Sequence, residues 1–509
     1  MEINRIFLLQ NKRWVLGSVF LAIILLLPIF ILFGELFSVQ ESSFFYLWDN
    51  LLIDYTLNTF YLLILTSFFS LLFGILPAWL ITNYKFKGRN ILDVILYLPL
   101  AIPTYIMAFT YSDMLSYTGP IQSFFRNNFV EFSAIFNRDY LQIEFLGLLM
   151  ALSLYPYIYT SSRVSFSLLG SNYMNLSKNL GVSKFKSFFK ILIPLSRPAI
   201  FSGLFLVLME VLNEYGAVKY FGVNTYTTGI FRSWFSMGDI GTAIQLAFVL
   251  LSVVFIIFYL EKTYHSKTKF YYTPNSSVQK FSNLKGKNSF LVIAVCIIPF
   301  LFGFFFPFIF IIDNVFSTFE SVDLENLIEL TVNSTSVSTI SASLVVVIAI
   351  FFLMVEKYSK NKINFFISQT ISLGYAIPGA VIGLGLIILF TSVEDILSNK
   401  FSIFSFSLIG SFFVLIYAYV IRFLAVGKSP IKSSLEKHPE SYDETAKNLG
   451  LGPFSLFKKI HFPINKWALV IAFIVTFIDV LKELPITLIL RPFNFDTLAT
   501  QTFEFAVEE

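Results

Sequence analysis

The chain has 509 residues, of which 56% are apolar, 63 are Phe and only 13% are charged; soluble domains carry about 25% charged residues, so an ordinary soluble fold is excluded and an integral membrane protein is expected. The net charge of +4 is small, and the basic residues are not interleaved as nucleic-acid binders require, so no nucleic-acid partner is expected. The single Cys296 lies in the apolar run LVIAVCIIPF, and His265, His438 and His461 fall in polar connecting segments without ligand-spaced neighbours, so neither a disulfide nor a thiolate or histidine metal motif is expected.

Apolar runs long enough to cross a hydrocarbon layer of about 30 Å lie near 15–38, 57–82, 91–112, 141–160, 198–215 and 239–261. A second set lies near 289–312, 335–355, 365–391, 403–421 and 467–490. The first run has a basic start like a signal peptide, but it is too long and lacks a small-residue cleavage site, so it reads as a retained span. The fold class expected is therefore an all-α polytopic membrane protein.

Lys and Arg cluster at Lys12 and Arg13, at Lys85, Lys87 and Arg89, in the 161–197 loop, in 262–288, at Lys357, Lys360 and Lys362, and in 422–466. The positive-inside rule makes these segments cytoplasmic, with the N-terminus on that side. The alternate stretches 39–56 and 313–334 contain acids and no Lys or Arg, and are expected to face outward.

Two cytoplasmic stretches repeat one pattern. Residues 178–194 read KNLGVSKFKSFFKILIP and residues 447–463 read KNLGLGPFSLFKKIHFP, 269 positions apart and in register. Ala101-Ile102-Pro103 is echoed by Ala376-Ile377-Pro378, and Tyr155-Pro156-Tyr157 resembles Tyr417-Ala418-Tyr419. Six spans return the chain to the cytoplasm, so the halves are expected to be parallel repeats flanking a central pathway. Their expected boundaries are 1–261, a flexible tether at 262–288 and 289–509, with coupling loops at 161–197 and 422–466. Eleven spans are visible where twelve are expected, and the missing last one points to a fragment.

Each repeated loop reads as two short helices. Gly181 or Gly450 supplies a left-handed cap after the first, and Pro194 or Pro463 closes the second. Phe185, Phe188 and Ile191, and their counterparts Phe454, Phe457 and Ile460, give the second helix an apolar stripe that a cytosolic partner could grip.

The loops resemble the cytoplasmic "EAA" loop of the inner-membrane permeases of ABC importers. Glu444-Thr445-Ala446 with Gly450 is close to that pattern, and the first copy keeps Gly181 but not the acid and alanines. The resemblance implies that Lys178, Asn179, Gly181, Phe188 and Pro194, and Glu444, Ala446, Gly450, Phe457 and Pro463, couple the chain to two copies of a cytosolic ATP-binding subunit. No G-x-x-x-x-G-K-[ST] motif occurs, so this chain is not expected to bind ATP or any other cofactor, and is expected to be no enzyme.

In the fifth span Glu210 and Glu214 are four apart, hence expected on one helix face, and Asp479 and Glu483 stand at the matching places of the second half. Intramembrane carboxylates are costly and usually functional, unless Lys482 or Arg491 neutralises one of them or the span ends early and the acids sit in the outer loop. With Tyr215, Tyr220 and Tyr226 nearby, they would suit a hard cation and repel an anion such as sulfate or molybdate. The passages 213–235 and 479–506 look like the iron(III)-type importer permeases. That resemblance implies an iron(III) importer of the bacterial inner membrane, fed by a periplasmic binding protein. Thiamine, polyamine or phosphonate permeases share the loops, and a gradient-driven carrier is the alternative from another class.

Overall fold

The computed structural model describes residues 2–37, 42–129, 137–179, 181–266, 282–284, 286–359, 362–401, 407–439 and 441–508. The molecule is all-α, as expected. Among the described residues ten helices are long and apolar enough to cross a membrane, or eleven if the bent pair Arg89–Ala101 and Thr104–Asn128 counts as one span. Each overlaps one of the apolar runs, but at 365–391 only Gly379–Ser398 qualifies, 403–421 is met by Phe412–Leu435, and 467–490 by Phe454–Leu481, which ends inside the run.

The third and ninth runs are broken rather than continuous. In the first half a 3-10 turn over Leu98–Ala101 ends in extended Ile102, and Pro103 then precedes the helix Thr104–Leu115. In the second half a 3-10 turn over Ser372–Ala376 ends in extended Ile377, and the helix Gly379–Phe401 follows Pro378. The cause is local: the residue before a proline is driven out of the α region, and proline cannot donate to the preceding turn. Each break leaves a carbonyl needing a donor, since no water reaches the hydrocarbon interior. Ser153 Oγ donates to the Ile102 carbonyl at 2.8 Å, and Arg422 Nη1 donates to the Ile377 carbonyl at 2.7 Å.

The chain divides into two compact units that are not the halves drawn at 1–261 and 289–509. One unit comprises residues 1–40 and 323–508, and the other comprises residues 41–322. The first helix of each half is thus built into the unit that the other half supplies. In the former unit Trp14 packs on Phe351 with ring centroids 5.8 Å apart, and Tyr417 donates its hydroxyl to the Ile24 carbonyl. In the latter, Tyr111 donates to the Phe302 carbonyl at 2.6 Å. Helices in a bilayer gain no hydrophobic advantage from pairing with each other, so such packing and hydrogen bonds decide which helix goes where.

The 262–288 tether falls largely outside the described residues. Its Ser282–Asn283 pairs as a short parallel strand with Tyr84–Lys85.

Candidate coupling loops and buried acids

Both repeated loops share one backbone design. Gly181 has φ +72° and Gly450 has φ +75°. Val182 N–H donates to the Ser177 carbonyl at 3.0 Å, and Leu451 N–H to the Ala446 carbonyl at 3.1 Å, the six-to-one bond of a Schellman cap. The first copy departs from the expected pair of short helices, because its polar part is the end of one long helix, Ile143–Asn179. The second copy has a separate helix, Ser441–Asn448.

The prolines do not close the second helix. Instead a π-turn, Phe188–Leu192 or Phe457–His461, runs directly into the long helix Ile193–Asn213 or Phe462–Leu481, with Pro194 or Pro463 in its first turn. The widened turn absorbs the clash and the missing N–H that a proline would otherwise impose on the preceding turn. Phe188 is buried, 4.4 Å from the ring of Trp79, so it anchors the loop from beneath. Phe185 and Phe454 project from the loops at 67% and 73% exposure. Glu444, Asn179 and Gly181 are exposed, Ala446 is buried and Pro463 is exposed. The side chain of Lys178 lies outside the described set.

The second loop carries an ionic anchor that the sequence reading missed. Asp443, on the helix Ser441–Asn448, places Oδ1 2.7 Å from His461 Nε2 and Oδ2 2.8 Å from Lys357 Nζ. His461 is 3% exposed, so although it falls in a polar connecting segment it is a buried partner. Burial alone would raise the Asp443 carboxyl, but the charges and hydrogen bonds of Lys357 and His461 hold it below the usual carboxylate value. At the matching positions of the first repeat stand Met174 and Leu192, which cannot form such a pair.

The four acids are not arranged as two helical pairs. The helix Ile193–Asn213 ends before Glu214, and Phe462–Leu481 ends before Glu483, so Glu210 and Glu214 do not share a helix face, nor do Asp479 and Glu483. A new short helix starts at once in each repeat, Gly216–Tyr220 or Pro485–Leu490. Glu214 Oε1 accepts from Ala217 N–H at 2.9 Å, and Glu483 Oε1 accepts from Ile486 N–H at 3.3 Å. Each carboxylate caps the N-terminus of the helix that follows, where unpaired N–H groups and the helix dipole favour negative charge.

The remaining oxygens have different partners. Thr104 donates its hydroxyl to Glu214 Oε2. Glu483 Oε2 faces Arg422 Nε at 3.5 Å, with both side chains nearly inaccessible, and Asp479 pairs with Lys482 at 2.9 Å. Arg422 was counted in the cytoplasmic cluster, yet it lies 2% exposed inside the helix Phe412–Leu435. Its signal was legible as a cation within the apolar stretch LIYAYVIRFLAV, where an isolated charge requires a partner. Within either unit, the described residues bring no three His, Cys, Asp or Glu side chains together around a metal-sized site.

Residues 70–269 match the family described as binding-protein-dependent transport system inner membrane component. The chain is 25% identical over 453 residues to the Fe(3+)-transport system permease protein FbpB 2 of Haemophilus influenzae, covering 88% of this chain and 83% of that protein. It is 28% identical over 209 residues to the sulfate transport system permease protein CysT of Salmonella typhimurium, covering 40% of this chain and 72% of the relative, and matches CysT of Escherichia coli to the same extent. Residues 70–269 thus carry the binding-protein-dependent transport system inner membrane component domain, and the same break, glycine cap, π-turn and acid-capped helix recur in the second repeat.

Proposed function

We propose that this permease imports ferric iron, delivered from outside by a soluble binding protein and driven by two cytosolic ATP-binding subunits seated on the 161–197 and 422–466 loops. The observation that carries the ferric reading is the likeness to an iron permease over 88% of the chain, through both repeats. The sulfate permeases match over 40% and give the second reading.

In this mechanism ATP binds to the partners and the permease supplies no bond chemistry. Nucleotide-driven closure pushes on the exposed Phe185 and Phe454 knobs and on Glu444. The π-turns lead that push directly into the helices Ile193–Asn213 and Phe462–Leu481, whose far ends hold Glu214 and Glu483. The two repeats then exchange outward-open and inward-open forms, a shift worth only what nucleotide and substrate contribute differentially to the two states. The N-terminus is cytoplasmic in this arrangement.

The test is ATP-driven uptake into liposomes holding the chain with its ATP-binding subunits and binding protein. Ferric iron should accumulate and sulfate should not. Sulfate accumulation without iron would replace the substrate assignment.

A further inference from the structure

The segment joining Ile193–Asn213 to Ile240–Ser266 encloses a polar cavity of about 120 Å³. Lys219 and Arg232 both line it, together with Asn224, Thr228 and Ser236, while Tyr215 stacks on Phe231 at 3.7 Å to form its apolar side. No Asp or Glu lines the cavity, and residues 215–238 contain none. Among the described residues neither cation has an acidic partner. Arg232 is oriented by a neutral group instead: its Nη2 donates to Asn224 Oδ1 at 3.1 Å, and Asn58 Nδ2 donates to the Asn224 carbonyl at 3.0 Å.

The second repeat makes the contrast. There the matching segment carries Arg491, which pairs with both Asp496 and Glu504, so its positive charge is cancelled within the loop. In the first repeat two exposed like charges line one small concavity with no acid between them.

We propose that this cavity is an oxyanion site, taking one sulfate, phosphate or carboxylate group between the Lys219 ammonium and the Arg232 guanidinium. A guanidinium already aligned by Asn224 offers paired N–H donors to such a group, and the ammonium adds a point charge. The site goes beyond the ferric reading, because a bare trivalent cation is repelled from it. The negative group belongs either to a free oxyanion or to an acidic side chain of the delivering protein.

The experiment is a calorimetric titration of the full chain in nanodiscs at low ionic strength with sodium sulfate, sodium phosphate and sodium acetate. A parallel arm measures association with the binding protein. Lys219→Gln with Arg232→Gln is compared with wild type and with Lys219→Arg. The expected result is saturable one-site binding of at least one anion, weakened at least tenfold in the double Gln variant and retained in Lys219→Arg. If that anion also competes with the binding protein, the group belongs to a protein side chain; if not, it is a free solute. Absence of saturable binding of all three anions to wild type, or equal binding by the double Gln variant, overturns the proposal. Association of the ATP-binding subunits with each variant is read separately, so failure of the importer reading remains distinguishable.

Discussion

Lys357 Nζ stands 2.8 Å from Asp443 Oδ2, so the last turn of the helix Leu324–Ser359 is tied by charge to the loop helix Ser441–Asn448. The Lys357 side chain is 22% exposed and Asp443 is 9% exposed. Breaking a fully buried pair costs about 3–5 kcal/mol, and partial exposure here brings the expected cost to about 1–3 kcal/mol. Lys357→Met should therefore loosen the second coupling helix and lower the solute moved per ATP hydrolysed, with Lys357→Arg restoring most of it. Reconstituted uptake and phosphate release, measured together, check this.

The same carboxyl sets a pH window. Its folded value lies below the unfolded one, so its contribution is present above the ordinary carboxylate range near pH 4 and is lost as pH falls through the folded value. A spin label at exposed Leu449 should stay immobile until pH falls below the ordinary carboxylate value, and become mobile as pH falls through the lower folded value of Asp443. Asp443→Asn should remove that acid transition and leave the label mobile throughout.

Glu214 and Glu483 occupy equivalent caps but should respond differently to neutralisation. Glu483→Gln leaves Arg422 buried without its counter-charge, for a loss of about 3–5 kcal/mol. Glu214→Gln keeps its one oxygen for the Ala217 N–H and turns its NH2 to the Thr104 hydroxyl, which can accept instead of donating, and should cost about 1 kcal/mol. Thermal unfolding in detergent compares the two. Replacing Arg422 and Glu483 together with Met should recover only part of the stability lost in Glu483→Gln, because the Ile377 carbonyl and the Ile486 N–H then lose their partners.

Gly450 holds φ +75° with open space where a Cβ would lie, whereas Gly452 has equal space and an ordinary φ. Gly450→Ala should cost about 1–2 kcal/mol through the left-handed conformation alone. Gly452→Ala should be close to neutral. Hydrogen exchange across 446–456 discriminates the two variants.

The repeat, the spans and the glycine caps were legible because each rests on local chemistry: apolar length, positive charge at loops, and a conformation that glycine enters cheaply. Ala-Ile-Pro was legible as an echo but not as a break, because apolar runs conceal where a proline interrupts them. The acids were misplaced for a related reason. A spacing of four implies one helix face only if the helix continues, and the chain turns after Asn213 and Leu481. Arg422, Lys357 and His461 were hidden among loop cations, since positive-inside counting assigns a side and not a partner. That residues 1–40 join the 323–508 unit depends on contacts such as Tyr417 to Ile24, which no local pattern records.

In the proposed mechanism two matched cytosolic loops take the force of ATP hydrolysis. The direct measurement is ATP-driven uptake of ferric iron in liposomes containing the chain, its ATP-binding subunits and the binding protein, comparing wild type with Phe185→Asp and Phe454→Asp combined. The account predicts that the double variant folds, loses the ATP-binding subunits and transports nothing. Uptake at the wild-type rate in that variant would contradict it.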